Sequence, residues 1–539
     1  MTTTKALNRI GTQIVQVCSA TPFQRHWYNS TLGVSTSEYR TGLADDIESA
    51  WKATVFRSFL FLILCSGTLV ACNAEPAIAD TIATIRGTEK QFDSLQAAID
   101  AASAGSTIDL RAGRIDERVR VTKSLTLIGA GTDSTILGPT AEAQLELSNR
   151  FEEHALRVDA IMRTAEESQP RREPTADEAK ELREQYENCT LVWTNLSTPI
   201  VSIEGKSEVT LRSLRVTMPL TPRKSSGLRD ATAIKLHDAS LSLRDVAIIG
   251  CMYDGIVVSG NARLDVRDCL ITACWGPAVS ASHPNTASVH LQNSDFRNNY
   301  HYNISLGVDT CVIEDCRISG TPWSGISTSA RIARIERNVI FHNNRAIYSV
   351  GDNAIVRHNL FYDNGVGASC WEIEKPTYES NIFYKNKLGG IFVAGPAEPI
   401  VQKNAFVDCP QGINYRPINT VQRNFPYAER YHVEQNLFWQ IESPLSVTKS
   451  VEPNAQAESA ELPKTNQLVD PEIKFVDGTL KLGNAQRSRE LGIEALNGMT
   501  LSSRWPITPE ETAIIPDAGQ LDSNLWKKRP KREPQAARD

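Results

Sequence analysis

Between residues 209 and 438 the sequence leaves no room for helices. Its apolar runs are short, alternate with polar residues and are separated by Asn/Gly-rich turns, so no ten-residue helix fits between them. Helical arrays and leucine-rich horseshoes are thereby excluded. A membrane-spanning run is also lacking, because the thirteen apolar-biased residues SFLFLILCSGTLV at 58–70 are too few to cross a bilayer. Positive charge is not in excess: a net charge of −6 with 22% charged residues leaves no general basic field, and nucleic acid is not an expected partner. The cysteines include two Cys-x4-Cys spacings, 269–274 and 311–316, but neither has histidine at ligand spacing, so no metal site is expected.

What is present is a repeat. Ten copies of one short pattern run from VTLRSLRV at 209–216 through LSLRDVAI, LDVRDCLI, VHLQNSDF, CVIEDCRI, ARIERNVI, AIVRHNLF, PTYESNIF and PIVQKNAF to HVEQNLF at 432–438. Their aligned positions, Leu214, Val246, Cys269, Ser294, Cys316, Asn338, Asn359, Asn381, Asn404 and Asn436, are spaced by 32, 23, 25, 22, 22, 21, 22, 23 and 32 residues. A second strand follows each turn, and its apolar residues Ile256, Val279, Ile304, Ile326, Ile347, Ile391 and Ile413 keep the same period. Two ladders with one period near 22 specify a solenoid of stacked parallel strands, roughly 45 Å long for ten coils about 4.8 Å apart.

In such a stack like residues meet like. Val216, Ile248, Ile271, Phe296, Ile318, Ile340, Phe361, Phe383, Phe406 and Phe438 form the expected inward stack. The run of five Asn reads as a turn ladder, with amide side chains bonding neighbouring coils. Cys269 and Cys316 share a column two coils apart, about 10 Å, too far for a bridge; buried stacking thiols are expected instead.

These features resemble the right-handed parallel β-helix family, the pectin-lyase-like superfamily. The stretch FDSLQAAIDAASAGSTIDLRAGRIDERVRVTKSLTLIGAGTDSTILGP is similar to the capping helix and first coils of pectin methylesterases and their relatives. Leu95, Ala98, Ile99 and Ala102 stand at helical spacing after Ser94 as N-cap, so a helix over 92–102 would cover the open end. LVDPEIKFVDGTLKLGNAQRSRELGIEAL at 468–496 resembles the closing segment of many such proteins, apart from Asn484–Ser488. The resemblance implies an all-β fold, a right-handed parallel β-helix solenoid with an N-terminal capping helix and a helical insertion, and it names no reaction.

The insertion, 140–189, is dense in Ala, Glu, Leu and Arg. It reads as two helices broken near Pro170–Pro174, with a capping box at Thr175 and Glu178, and is either a lid or a lateral cover. The expected organisation is an extension at 1–54, a signal at 55–72, a linker at 73–90, the N-cap and first coils at 91–139, the insertion, repeats at 190–441, closing segment and loops at 442–515, and a disordered basic tail at 516–539. Polar stretches at 416–430 and 442–467 read as loops leaving the rod.

Lys52 and Arg57 precede the hydrophobic run, and Leu-Val-Ala-Cys ends it. This resembles a bacterial lipoprotein signal with Cys72 as the lipidated mature N-terminus, a lipid anchor in the membrane and a place in the cell envelope; residues 1–54 fit poorly, and a start near Val55 is expected.

In β-helix polysaccharide lyases and hydrolases, the resemblance implies, chemistry sits around the strand after the Asn turn. Two places before the aligned apolar residues stand Asp254, Tyr302 and Arg345; one place earlier stand His301 and Trp323. His301 and Trp323 are expected about 5 Å apart on adjacent coils, and Tyr302 and Arg345 about 10 Å apart on alternate ones. β-Elimination on a uronate needs a base, a cation for the carboxylate and a proton donor: Tyr302 or His301 could abstract or donate, and Arg345 could neutralise. Trp275, Trp323, Tyr348 and Trp371 are candidates for sugar contact. Asp254 lacks a matching Asp on neighbouring coils, and Glu372 and Glu374 lie several coils away, which ranks lyase above hydrolase and gives no clustered Asp for calcium.

The Gln-Asp pair and Val-Asp-Phe-Ile-Phe-Gly of pectin methylesterases, the Asp-Asp/Gly-His-Gly set of polygalacturonases and the Asp-Pro-Arg of mannuronan epimerases do not occur. The expectation is an exported protein that acts on or binds polysaccharide, with uronate lyase as the enzyme reading; a non-catalytic glycan-binding or envelope structural protein is the alternative. The sequence names no cofactor.

Overall fold

The computed structural model describes residues 81–167, 174–219, 231–282, 286–371, 374–416, 432–448 and 457–508. The signal-like segment, Cys72, most of the stretch 416–430 expected as a loop, and the basic tail lie outside them.

Each full coil contributes three short strands, as in Ile332–Glu336, Val339–Phe341 and Arg345–Ser349, and each pairs in parallel with its counterpart on the next coil. Three ladders result. The column expected from the repeat is present: Leu214 pairs Val246, and the residues that follow it pair in order, Ala247 with Leu270, Leu270 with Asp295, Asp295 with Arg317 and Arg317 with Val339. In the third ladder Val201, Ile234, Ile256, Val279, Ile304, Ile326 and Ile347 align, and each is fully buried.

The corner between the first and second ladders explains the asparagines. One residue per coil takes a left-handed conformation there: Asp268 at φ 56°, Asp315 at 56°, Arg337 at 56°, His358 at 54°, Ser380 at 54° and Lys403 at 56°. For a residue other than glycine this costs about 1–2 kcal/mol. From Arg337 onward, the Asn that follows offsets it. Asn381 Oδ1 accepts from the backbone N–H of Asn359 at 3.0 Å, and its amide donates to Val356 O at 2.8 Å and Asn404 Oδ1 at 3.0 Å. The same bonds repeat from Asn338 to Asn466, which extends the expected ladder by one member.

The expected inward stack is the core of the rod. Phe361, Phe383, Phe406 and Phe438 lie nearly parallel, with ring centroids 4.5, 4.8 and 4.9 Å apart. Phe383→Ala opens a cavity between two rings and is expected to lower unfolding free energy by about 3–4 kcal/mol, read by denaturant titration; a change below about 1 kcal/mol would mean that the stack collapses freely.

Helix α1, Leu95–Ala101, covers the first coil as expected, burying Leu95, Ala98 and Ile99 with Ser94 as N-cap; Glu117 accepts from the N–H groups of Leu95 at 2.9 Å and Gln96 at 3.1 Å. The insertion is α2, Ala141–Glu167, and α3, Ala176–Ser197, which opens with the Thr175/Glu178 capping box. Three boundaries differ from expectation. Helix α3 continues past 189 to Ser197, because Val192 and Leu196 keep helical spacing and are buried. Ala83–Ile85, inside the expected linker, is a strand antiparallel to Ser106–Leu110, with Ala83 and Ile85 buried. Ser443–Thr448, expected as loop, is the third strand of a coil: Leu445 aligns with Ile413 and is buried.

The outer surfaces of the ladders differ. The first carries a network of ion pairs and hydrogen bonds in which Asp265, His290, Glu314, Glu336 and Arg337 link coil to coil. The second is covered by the chain itself. The hairpin Ile473–Val476/Thr479–Leu482 and helix α4, Ala485–Leu491, pack Ile473, Leu480, Leu491 and Leu496 on Leu360, Ile382 and Leu437. The chain then runs back along the rod, where Arg317 donates to Thr500 O at 2.7 Å and Arg297 to Pro506 O at 2.6 Å. Trp505 ends on Ala247, Ile249 and Leu270.

Burial alone raises the Glu336 carboxyl, but hydrogen bonds from Arg334 at 2.9 Å and from Arg357 hold it below the usual glutamate range. Against the same burial, His290 and Arg337 lower Glu314, and Arg244 and Arg267 lower Asp265. A folded value below the unfolded one stabilises fully above pH of about 4.3 and is lost as pH falls through the folded value. Asp295 and Glu374, raised by burial, act in the opposite sense. Glu336→Gln is therefore expected to flatten the fall of Tm between pH of about 5 and 3; a slope equal to that of the parent chain would contradict the network's role.

Candidate functional site

The third ladder's leading edge is set by a second corner. Its left-handed residues include Asn298 at φ 54°, Gly320 at 73°, His342 at 55° and Asp363 at 47°. A second amide ladder follows them. Thr321 N–H donates to Asn343 Oδ1 at 3.3 Å, Asn343 N–H to Asn364 Oδ1 at 3.0 Å and Asn364 N–H to Asn386 Oδ1 at 3.1 Å. The reading of the repeat missed this ladder, although Asn338/Asn343, Asn359/Asn364 and Asn381/Asn386 share one spacing of five residues.

From this corner the backbone delivers the candidate side chains. Asn303, fully buried, receives a bond from Asn299 at 2.7 Å and donates to Ser319 O at 3.0 Å. Its neighbour Tyr302 begins the strand at this corner and is partly exposed. Thr321 Oγ donates to His301 O at 2.8 Å, and Arg345 N–H donates to Trp323 O at 3.0 Å. The expected register holds: Tyr302 pairs Ser324, and Ser324 pairs Arg345.

The rings form a chain along the rod. Trp275 stacks on Tyr300 at 4.2 Å with planes 8° apart, Tyr300 approaches His301 at 6.2 Å, and His301 stacks on Trp323 at 5.4 Å and 4°. Tyr302 stands 6.4 Å from Trp323. Further along, the Arg345 guanidinium lies 5.3 Å from the Tyr348 ring centre, and Tyr348 is 5.4 Å from Trp371. Trp323 is 45% and Tyr300 37% exposed, which makes them the accessible members. Tyr300 escaped sequence reasoning because it precedes the aligned columns.

Tyr348 owes its position to a bulge. Ile326 pairs Ile347 but Ser327 pairs Ser349, so Tyr348 is the extra residue, and such insertions re-aim side chains. Buried Glu374 fixes the strand's end, accepting from Ser349 Oγ and from Trp371 N–H at 2.9 Å. Burial pushes the Tyr302 phenol up, Tyr348 adds to this, and the Arg345 charge opposes it. Tyr302 is thereby held as a neutral hydrogen-bond donor.

Asp254 stands apart. It is buried, its carboxylate accepts from Ser280 Oγ at 2.5 Å, and Gly276 leaves room for it, since a Cβ there would lie 2.2 Å from Oδ1. Five ladder steps, about 24 Å at 4.8 Å each, separate its coil from that of Glu374. Paired carboxylates for glycoside hydrolysis need about 5–9.5 Å. Glu372 lies outside the described residues. Among the described residues no group of three His, Cys, Asp or Glu is placed to hold a metal ion.

A family model described as a right handed beta helix region matches residues 199–331, 232–375 and 306–424. No curated protein sequence matches the chain. Among solved structures, the periplasmic alginate epimerase AlgG is similar at 12% identity and TM-score 0.38, over 66% of this chain and 80% of that one. The PL6 family alginate lyase AlyGC is similar at 13% and 0.40, over 77% and 58%, and XylC, in complex with xylose, at 11% and 0.42, over 74% and 88%. With its parallel ladders in register and its repeats matched by that family model over residues 199–424, the chain has a right-handed parallel β-helix fold.

Proposed function

We propose that the leading edge of the third ladder, from Trp275 to Trp371, binds an acidic polysaccharide and cleaves it by β-elimination. The observation that carries this reading is the meeting of Tyr302, Tyr348 and Arg345 beside the stacked His301–Trp323 pair. Arg345 supplies the cation for a uronate carboxylate, which lowers the cost of charge developing at C5. His301 removes the C5 proton as a neutral imidazole, and Tyr302 gives its proton to the leaving oxygen. Exposed Trp323 and Tyr300 contact sugar rings. The wide separation of Asp254 and Glu374 disfavours hydrolysis by a carboxylate pair. Export, with Cys72 as a lipidated anchor in the cell envelope, belongs to the same proposal and rests on the sequence at 52–72.

The mutual stacking of the rings favours one second reading. Trp275 and Tyr300, and His301 and Trp323, each spend a face on one another, as a rigid glycan-binding or envelope scaffold would allow without turnover. Assay of a panel of uronate polysaccharides for unsaturated, ultraviolet-absorbing products separates the two. Turnover that is lost in Tyr302→Phe supports the lyase; retention of the glycan with no product supports the scaffold.

A further inference from the structure

We propose that Cys251 and Cys274 are joined as a disulfide between neighbouring coils, formed while the coils dock during folding. They are direct partners in the parallel ladder, so their Cα atoms lie one strand spacing apart. That spacing, about 4.8 Å, falls inside the 4.4–6.8 Å that a disulfide spans. Both side chains are fully buried on the same side of their strands. Burial raises the Cys274 thiol well above its usual value, and the Cys251 thiol, within hydrogen-bond reach, adds to this.

Among the described residues no other two cysteines pair in this way. Cys269 and Cys316 are separated by the coil of Ser294, Cys311 pairs Val289 and Ala333, and Cys370 pairs Val393. The place is consequential. Trp275 N–H donates to Cys251 O at 3.0 Å, so the link would clamp the corner from which the chain of rings begins.

Once packed, both sulfurs are out of reach of an oxidant, because exchange needs access to the attacking thiol. The bond must therefore form before the coil stack closes. With glutathione disulfide as oxidant, one cysteine thiolate attacks it to give a mixed disulfide and releases one glutathione thiolate. The second cysteine thiolate then attacks the protein-bound sulfur, closing the Cys251–Cys274 bond and releasing the second glutathione. Two cysteine protons are lost, and the oxidant takes up the two electrons.

The test uses the full chain, refolded in a glutathione redox couple or exported to a bacterial periplasm behind a secretion signal. The folded fraction is denatured without reductant, alkylated with iodoacetamide and mapped by mass spectrometry. The expected result is one cross-linked peptide pair, with both cysteines unalkylated until reductant is added, and full alkylation of Cys251 in Cys274→Ser. Complete alkylation of both cysteines in the folded parent chain, or a bond from either one to another cysteine, would overturn the proposal.

Discussion

Replacing Asn381 with leucine is expected to lower the free energy of unfolding by about 5 kcal/mol. Leucine has similar volume, so the loss comes from hydrogen bonds rather than from a cavity. Asn381 Oδ1 accepts from Asn359 N at 3.0 Å and Nδ2 at 3.1 Å, and its amide donates to Val356 O at 2.8 Å and Asn404 Oδ1 at 3.0 Å. The three residues it joins, Asn359, Val356 and Asn404, belong to the coil corner and are fully buried. The Asn359 N–H and the Val356 carbonyl would be left unpaired in an apolar rod, at about 1–3 kcal/mol each. Half-exposed Asn344 makes a bond to Pro322 O at 3.1 Å, and its replacement by alanine should cost under about 1 kcal/mol. Equal effects at the two positions in denaturant titration would show that the amide ladder does not hold the corners.

Arg345→Ala is expected to reduce kcat/KM on an acidic polysaccharide by about 10²–10³-fold, the scale of removing one electrostatic contact to developing charge. Arg345→Lys should recover part of it, keeping the charge but losing the planar fork that matches a carboxylate. The side chain is at the rim, over Tyr348, and outside the packed core, so the folded structure should survive both changes. Unaltered kcat/KM in a folded Arg345→Ala chain would remove Arg345 from the chemistry.

Much of this architecture was legible in the sequence because a stacked coil repeats its physics every turn. The column from Leu214 to Asn338, the phenylalanine stack, the α1 cap and the closeness of His301 to Trp323 all follow from period and alternation alone. Less legible were features that break the period. Tyr348 is aimed by one inserted residue, which alignment on apolar columns passes over. The return of residues 473–506 along the second ladder depends on Leu360, Ile382 and Leu437 facing outward, whereas the sequence showed most clearly what faces inward. Asp254 shared the column of Tyr302 in alignment, yet Ser280 and the gap left by Gly276 draw it into the wall.

Titration calorimetry of the chain with a uronate oligosaccharide, and with its carboxyl-reduced neutral counterpart, bears most directly on the proposed site. The account predicts binding of the acidic sugar, weakened strongly in Arg345→Ala and Trp323→Ala, and little binding of the neutral one. Equal affinity for the two sugars, or binding unaltered by both substitutions, would contradict it.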